Sequence, residues 1–181
     1  HAALRRGRFS APGHVYLVTF ATWCRRPVFS SFPRAMLASS ALSDRRLWLR
    51  ATLMAWVLMP DHWHGLVQLG DGESLQRLVG RLKCNTARRL RTHGYRTRVW
   101  APAFHDRGIR GEAAQLAAAR YIIANPLRAG LVPSVATYPF WDAVWLSTGA
   151  SGGDAARPAP GGGGITVHPA PRAAPAGVGT A

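Results

Sequence analysis

The sequence predicts an α+β domain of ferredoxin-like topology: an antiparallel sheet with helices on one face, followed by a further helix that carries a tyrosine. Three observations carry that prediction. Element signals follow the order β-α-β-β-α-β before the last helix, an order that builds such a sandwich. The apolar run Ala51 to Met59 is followed, after Pro60-Asp61, by a second strand-like run, so the two pair as a hairpin. From Leu75 to about His93 apolar residues recur at helical spacing.

In order along the chain, residues 1–13 (HAALRRGRFSAPG) are basic and punctuated by Pro and Gly, and read as an arm. His14 to Thr22 (HVYLVTFAT) has the β-branched and aromatic content of a central strand. A helix is expected from about Pro33 to Leu42, with Pro33 in its first turn. Ser74 stands where an N-cap belongs, just before the helix from Leu75. That helix buries Leu75, Leu78, Val79, Leu82, Ala87 and Leu90 and turns Arg77, Arg81, Lys83, Arg88, Arg89 and Arg91 outward. Residues 99–110 (VWAPAFHDRGIR) suggest a fourth strand with Phe104 inside. A helix then runs from Gly111-Glu112 to Asn125, where Pro126 stops or kinks it. The aromatic segment YPFWDAVWL closes the globular part, so the folded domain is expected over 14–148. Residues 149–181 are dominated by Gly, Ala and Pro and are expected to form a disordered tail.

The composition narrows the function. The chain of 181 residues carries a formal charge of +15, and Lys83 is its one lysine among 23 basic residues. The tail holds only Arg157, Arg172 and Asp154, so residues 1–148 keep +14. A field that positive draws polyanions, most naturally nucleic acid, and arginine suits bidentate phosphate contacts. A helix face with nearly all charges of one sign repels itself unless an anionic partner lies against it. Cys24 and Cys84 make no metal spacing and are expected to be free thiols in a reducing cytoplasm. No apolar run approaches the roughly 20 residues of a membrane span, and no signal peptide is evident.

The candidate chemistry starts at Leu58 to Leu69 (LMPDHWHGLVQL). In a strand, residues two apart share a face, so His62 and His64 project together while Trp63 packs on the other side. Two strand-mounted imidazoles suit a divalent cation, although a half-exposed strand face that happens to carry two histidines would look the same. Tyr121 and Asn125 are four residues apart in a predicted helix and emerge on one face. They read either as an amphipathic core position with a helix cap before Pro126, or as part of the site. Two imidazoles and an amide oxygen would hold Mg²⁺ or Mn²⁺, with Mn²⁺ the better match to imidazole. The cation would polarise a scissile phosphate, and Tyr121 would attack phosphorus and form a covalent phosphotyrosine. Neighbouring positive charge, from Arg120 or Arg107, would activate the phenol. His105 and Asp106 in FHDR fit structure, DNA contact or assistance to the metal.

The ordered set VLMPDHWHGLV, LKCNTARRL, FHDRGIR and YIIANPLRAGLV resembles the single-tyrosine HUH transposases, and among them the REP-associated tyrosine transposases of bacteria. The resemblance covers roughly residues 8–146. It implies a ferredoxin-like fold, a divalent metal, and strand-specific cleavage of single-stranded DNA beside hairpins in the bacterial cytoplasm. On that resemblance His62, His64 and Asn125 become metal ligands and Tyr121 the nucleophile. Arg5, Arg6, Arg8, Lys83, Arg88, Arg89, Arg107 and Arg110 become candidate DNA contacts. Asp61 stands where many relatives have Asn. A monomer is implied, with a homodimer exchanging tyrosine helices as the alternative. Two other classes remain at this stage: a nucleic-acid-binding module without chemistry, and a zinc hydrolase built on His62 and His64, for which no third strong ligand is evident.

Overall fold

The computed structural model describes residues 12–146. The arm with Arg5, Arg6 and Arg8, and the tail from residue 149, lie outside the described residues. Five strands form one antiparallel sheet: β1 (Val15–Ala21), β2 (Ala51–Met59), β3 (His62–Leu69), β4 (His105–Ile109) and β5 (Trp141–Ala143). The helices are α1 (Phe32–Leu42), α2 (Leu75–Thr92), α3 (Glu112–Ile123) and the single turn α4 (Asn125–Arg128). Strand order is β4-β1-β3-β2-β5, so the histidine strand β3 is central.

Alternation along β3 sorts the molecule into two layers. Trp63, Val67 and Leu69 join Val18, Phe20, Leu58 and the buried faces of α1 and α2 in one core. Leu66 joins Val57, Met59 and Ile109 with Ala118, Ala119 and Ile122 of α3 in a second core on the opposite face. The tyrosine helix therefore lies across the sheet face that α1 and α2 leave open. This explains why β2 is a continuous apolar run: both of its faces are covered. A bulge at Met54 shifts its register between Leu53 and Ala55.

Trp63 is fully buried, and its ring stacks on Phe20 with centroids 4.9 Å apart. The ring folds back over Gly65, two residues on and on the same face. A Cβ at position 65 would sit 1.9 Å from Trp63 Cη2. Only glycine admits the indole there, which accounts for the HWHG sequence.

The α2 boundary follows the expected cap: Ser74 Oγ accepts from the Arg77 N–H at 3.3 Å. Two expectations change. Residues 99–104 are not strand; β4 begins at His105, and upstream only Trp100 bridges to Thr22. The cause is Lys83, whose ammonium donates to the carbonyls of Ala101, Pro102 and Ala103 at 2.9, 3.3 and 2.8 Å. Three consecutive carbonyls gathered on one ammonium cannot alternate as strand carbonyls do, and Pro102 has no N–H to pair. The closing aromatic segment contributes β5 on the β2 edge, where the Tyr138 hydroxyl donates to the Leu58 carbonyl at 2.6 Å.

Gly65→Ala is expected to destabilise the domain by about 3 kcal/mol or prevent folding, through overpacking against Trp63. Gly80→Ala in α2, where an added Cβ meets nothing within 4 Å, should instead stabilise by about 1 kcal/mol. Urea unfolding of the two variants measures both signs.

Candidate active site

The hairpin β2-β3 places His62 and His64 beside each other on the α3 face, with ring centroids 4.5 Å apart and planes nearly perpendicular at 87°. Each ring is held through Nδ1. His62 Nδ1 lies 2.5 Å from Asp61 Oδ1, and a carboxylate only accepts, so Nδ1–H donates. His64 Nδ1 lies 2.7 Å from Thr19 Oγ1 on the adjacent strand. With both Nδ1 atoms engaged, Nε2 is the nitrogen each ring has left for a ligand. Burial, reinforced by His62 and Arg25, lowers the His64 pKa from 6.5 to about 4, so its lone pair is available at neutral pH.

Tyr121 stands near the C-terminal end of α3, on the side of the sheet that carries the histidines, and is 46% exposed beside the buried Ile122. Pro126 kinks rather than stops this helix. Arg128 N–H donates to the Ala124 carbonyl at 3.0 Å, continuing the chain into α4. Ala124 caps α3, so Asn125 opens α4 instead of closing α3. Its Nδ2 is buried with no partner among the described residues. Rotating that amide by half a turn exchanges nitrogen for oxygen at the same point, a lone acceptor suited to a cation. Arg128, seven residues after Tyr121, lies over its ring at 4.6 Å. The positive charge on the phenol's face thus comes from Arg128, a residue the sequence reading passed over despite its i+7 helical spacing.

The strand register adds β4 to this face. Thr19 pairs with both His64 and His105, and Leu17 pairs with both Leu66 and Arg107. His105 and Arg107 therefore share the histidine face, while Asp106 alternates to the other. Arg107 and Arg110 are exposed. Lys83 places its ammonium among the carbonyls of Ala101, Pro102 and Ala103, with Phe20 beneath it at 5.3 Å, and so tethers that loop to α2.

Arg88 and Arg89 line a cleft of about 540 Å³ with Arg45, Arg46, Asn85 and Thr92. It lies between α1, α2 and the turn Arg45–Leu47, on the sheet side opposite the histidines. Arg46 pairs with Asp44 through Nε and Nη2 at 3.1 and 2.9 Å. Arg45 and Arg89 have no ion-pair partner among the described residues. The Arg45-Arg46 pair was missed in sequence because it sits on a short turn without periodicity.

The donor set fits a divalent cation. Two imidazoles present Nε2, and the buried amide nitrogen of Asn125 lacks a partner among the described residues. Among the described residues, no three His, Cys, Asp or Glu side chains gather into a metal-binding cluster.

The fold and site define an α+β domain with a strand-mounted histidine pair and a helix-borne tyrosine on one sheet face. The family model for IS200-like transposases matches residues 11–123. The chain belongs to that family, and it is a transposase. A REP-associated tyrosine transposase solved with a REP hairpin shares the fold, at 22% identity and a TM-score of 0.65 over 88% of this chain and 97% of that one. A Deinococcus radiodurans chain described as a transposase is 22% identical, covering 65% of this chain and 95% of that one, with a TM-score of 0.48. No characterised relative matches by sequence. Among the described residues no helix is long and apolar enough to cross a membrane. Cys24 and Cys84 are both free and exposed.

The buried His64 makes stability pH-dependent. Its folded pKa lies below the unfolded value, so the unfolded chain binds the extra proton and stability falls as pH drops from 6.5 towards 4. The loss over that window is up to about 3 kcal/mol. Thermal melts in EDTA should show it in the wild type and a flatter profile in His64→Gln.

Proposed function

We propose that this transposase nicks and rejoins single-stranded DNA beside a hairpin, with Tyr121 as nucleophile and a divalent cation on His62, His64 and Asn125. The observation that carries the reading is the histidine pair. Both rings are pinned through Nδ1, on the sheet face that α3 covers with its tyrosine. A bound Mg²⁺ or Mn²⁺ supplies Lewis-acid polarisation and orientation of the scissile phosphate.

The protein's own residues supply the rest. The phenolic oxygen of Tyr121 bonds to phosphorus as the bond to the 3′-oxygen breaks, leaving a 5′-phosphotyrosine and a free 3′-hydroxyl. The phenolic proton leaves to solvent, and the departing 3′-oxygen takes one up. Arg128 stacks over the Tyr121 ring at 4.6 Å, and Arg107 on the same face offers a contact to the incoming strand. Because the phosphodiester is conserved in the tyrosyl ester, a 3′-hydroxyl can reverse the step without a nucleotide cofactor. Packing of α3 on its own sheet supports Tyr121 acting within one chain, as a monomer. A binding module without chemistry would account for the arginines but leaves the pinned imidazoles without a use.

We read the arginine cleft as a phosphate contact for the hairpin, consistent with the REP hairpin bound by the structurally similar transposase. Cleaved strand and stem would then engage opposite sheet faces.

Incubation of the protein with end-labelled hairpin DNA bearing single-stranded flanks, in Mn²⁺, Mg²⁺ or EDTA, tests the chemistry. A metal-dependent labelled protein band should form with the wild type and vanish in Tyr121→Phe, with hairpin affinity retained. Cleavage that survives Tyr121→Phe would replace this mechanism with hydrolysis.

Arg88→Ala with Arg89→Ala is expected to weaken hairpin binding and to reduce the salt slope of binding by about 2, one unit per lost phosphate contact. Anisotropy titrations across a salt series measure it.

A further inference from the structure

His62 and His64 are pinned by chemically different partners. His64 faces the neutral hydroxyl of Thr19, whereas His62 faces the carboxylate of Asp61. Asp61 is itself engaged on its other oxygen, where Arg25 donates from Nη1 to Oδ2 at 3.1 Å. Each carboxylate oxygen therefore has one partner, and a chain of contacts runs Arg25–Asp61–His62.

The backbone around Arg25 is built to keep this chain in place. Cys24 and Arg25 adopt φ of 54° and 53°, two consecutive non-glycine residues in the left-handed region, which is unfavourable for L side chains. The turn holds because it is stitched to the hairpin tip and the neighbouring loop. Thr22 N–H donates to the Asp61 carbonyl at 2.8 Å, Phe29 N–H to the Pro60 carbonyl at 2.9 Å, and Trp23 N–H to the Val99 carbonyl at 2.8 Å. The same turn that strains residues 24 and 25 brings the Arg25 guanidinium onto Asp61.

We propose that Asp61 is a positioning residue for the divalent-cation site: held by Arg25, it fixes His62 in the tautomer whose Nε2 is the free ligand nitrogen. This rests on the cation reading above. Outer partners that accept from a ligating histidine orient the ring and raise its basicity. Asp61 does this with Oδ1 on the imidazole and Oδ2 on the Arg25 guanidinium.

The test is Mn²⁺ titration of the full chain, followed by the electron paramagnetic resonance signal of free Mn²⁺. Melting temperature and hairpin affinity in EDTA serve as folding controls. Asp61→Ala should weaken Mn²⁺ binding on the order of tenfold or more. Asp61→Asn, whose amide oxygen still accepts from Nδ1–H, should recover most of that loss. Arg25→Ala should weaken binding less, and combined with Asp61→Ala should add nothing further. If Asp61→Ala fails to fold, Asp61→Ser, too short to reach Nδ1, takes its place with the same expected loss. Wild-type affinity in the alanine or serine variant would overturn the proposal. So would an asparagine variant as weak as alanine, which would assign the effect to charge alone, or losses from Arg25→Ala and Asp61→Ala that add. A wild type that fails to bind Mn²⁺ would instead remove the cation reading beneath it.

Discussion

The burial of Trp63 is the constraint on which the rest of this structure depends. Its indole is stacked on Phe20 and folded over Gly65, and it occupies the centre of the core beneath α1 and α2. Because strand side chains alternate, committing Trp63 to that face commits its neighbours His62 and His64 to the other. A register slip of one residue would turn two imidazoles into the core beneath α1 and α2 and the tryptophan towards α3. The large apolar term at position 63 thus protects the placement of the polar pair.

The consequence is a domain with a different task on each sheet face. On one, α1 and α2 cover the apolar core and gather arginines into a cleft. On the other, α3 packs through Ala118, Ala119 and Ile122 and carries Tyr121 at its margin. The small alanines let α3 lie close to β2 and β3. The Pro126 kink then brings Asn125 and Arg128 round in the next turn. Rigid strands hold the histidines, and a packed helix holds the tyrosine, which is the arrangement that precise chemistry requires.

Much of the layout was legible in the sequence. Ala51–Met59 and the helix from Leu75 declared themselves by an unbroken apolar run and by periodicity, and HWH declared its own facing by alternation. The failures share a cause. Residues 99–104 have strand-like composition, but a lysine 18 to 20 positions upstream captures the carbonyls of Ala101, Pro102 and Ala103. Lys83 sits among arginines on one helix, and nothing in that pattern sets it apart from them. Only its contact with a distant loop shows that its donors are already committed. The roles of Arg25, Arg45 and Arg128 depend on turns and kinks, which leave no periodic trace.

The sequence by itself determined which residues alternate, which recur at helical spacing, and that so positive a domain needs an anionic partner. Those properties are local or summed, and local geometry or simple charge addition is enough to read them. The tertiary structure decided that α3 covers the histidine face, that β5 closes the β2 edge, and that Asp61, Thr19 and Arg25 hold the rings. These are contacts between residues tens of positions apart, chosen by packing and by the saturation of particular donors and acceptors, and no local pattern encodes them.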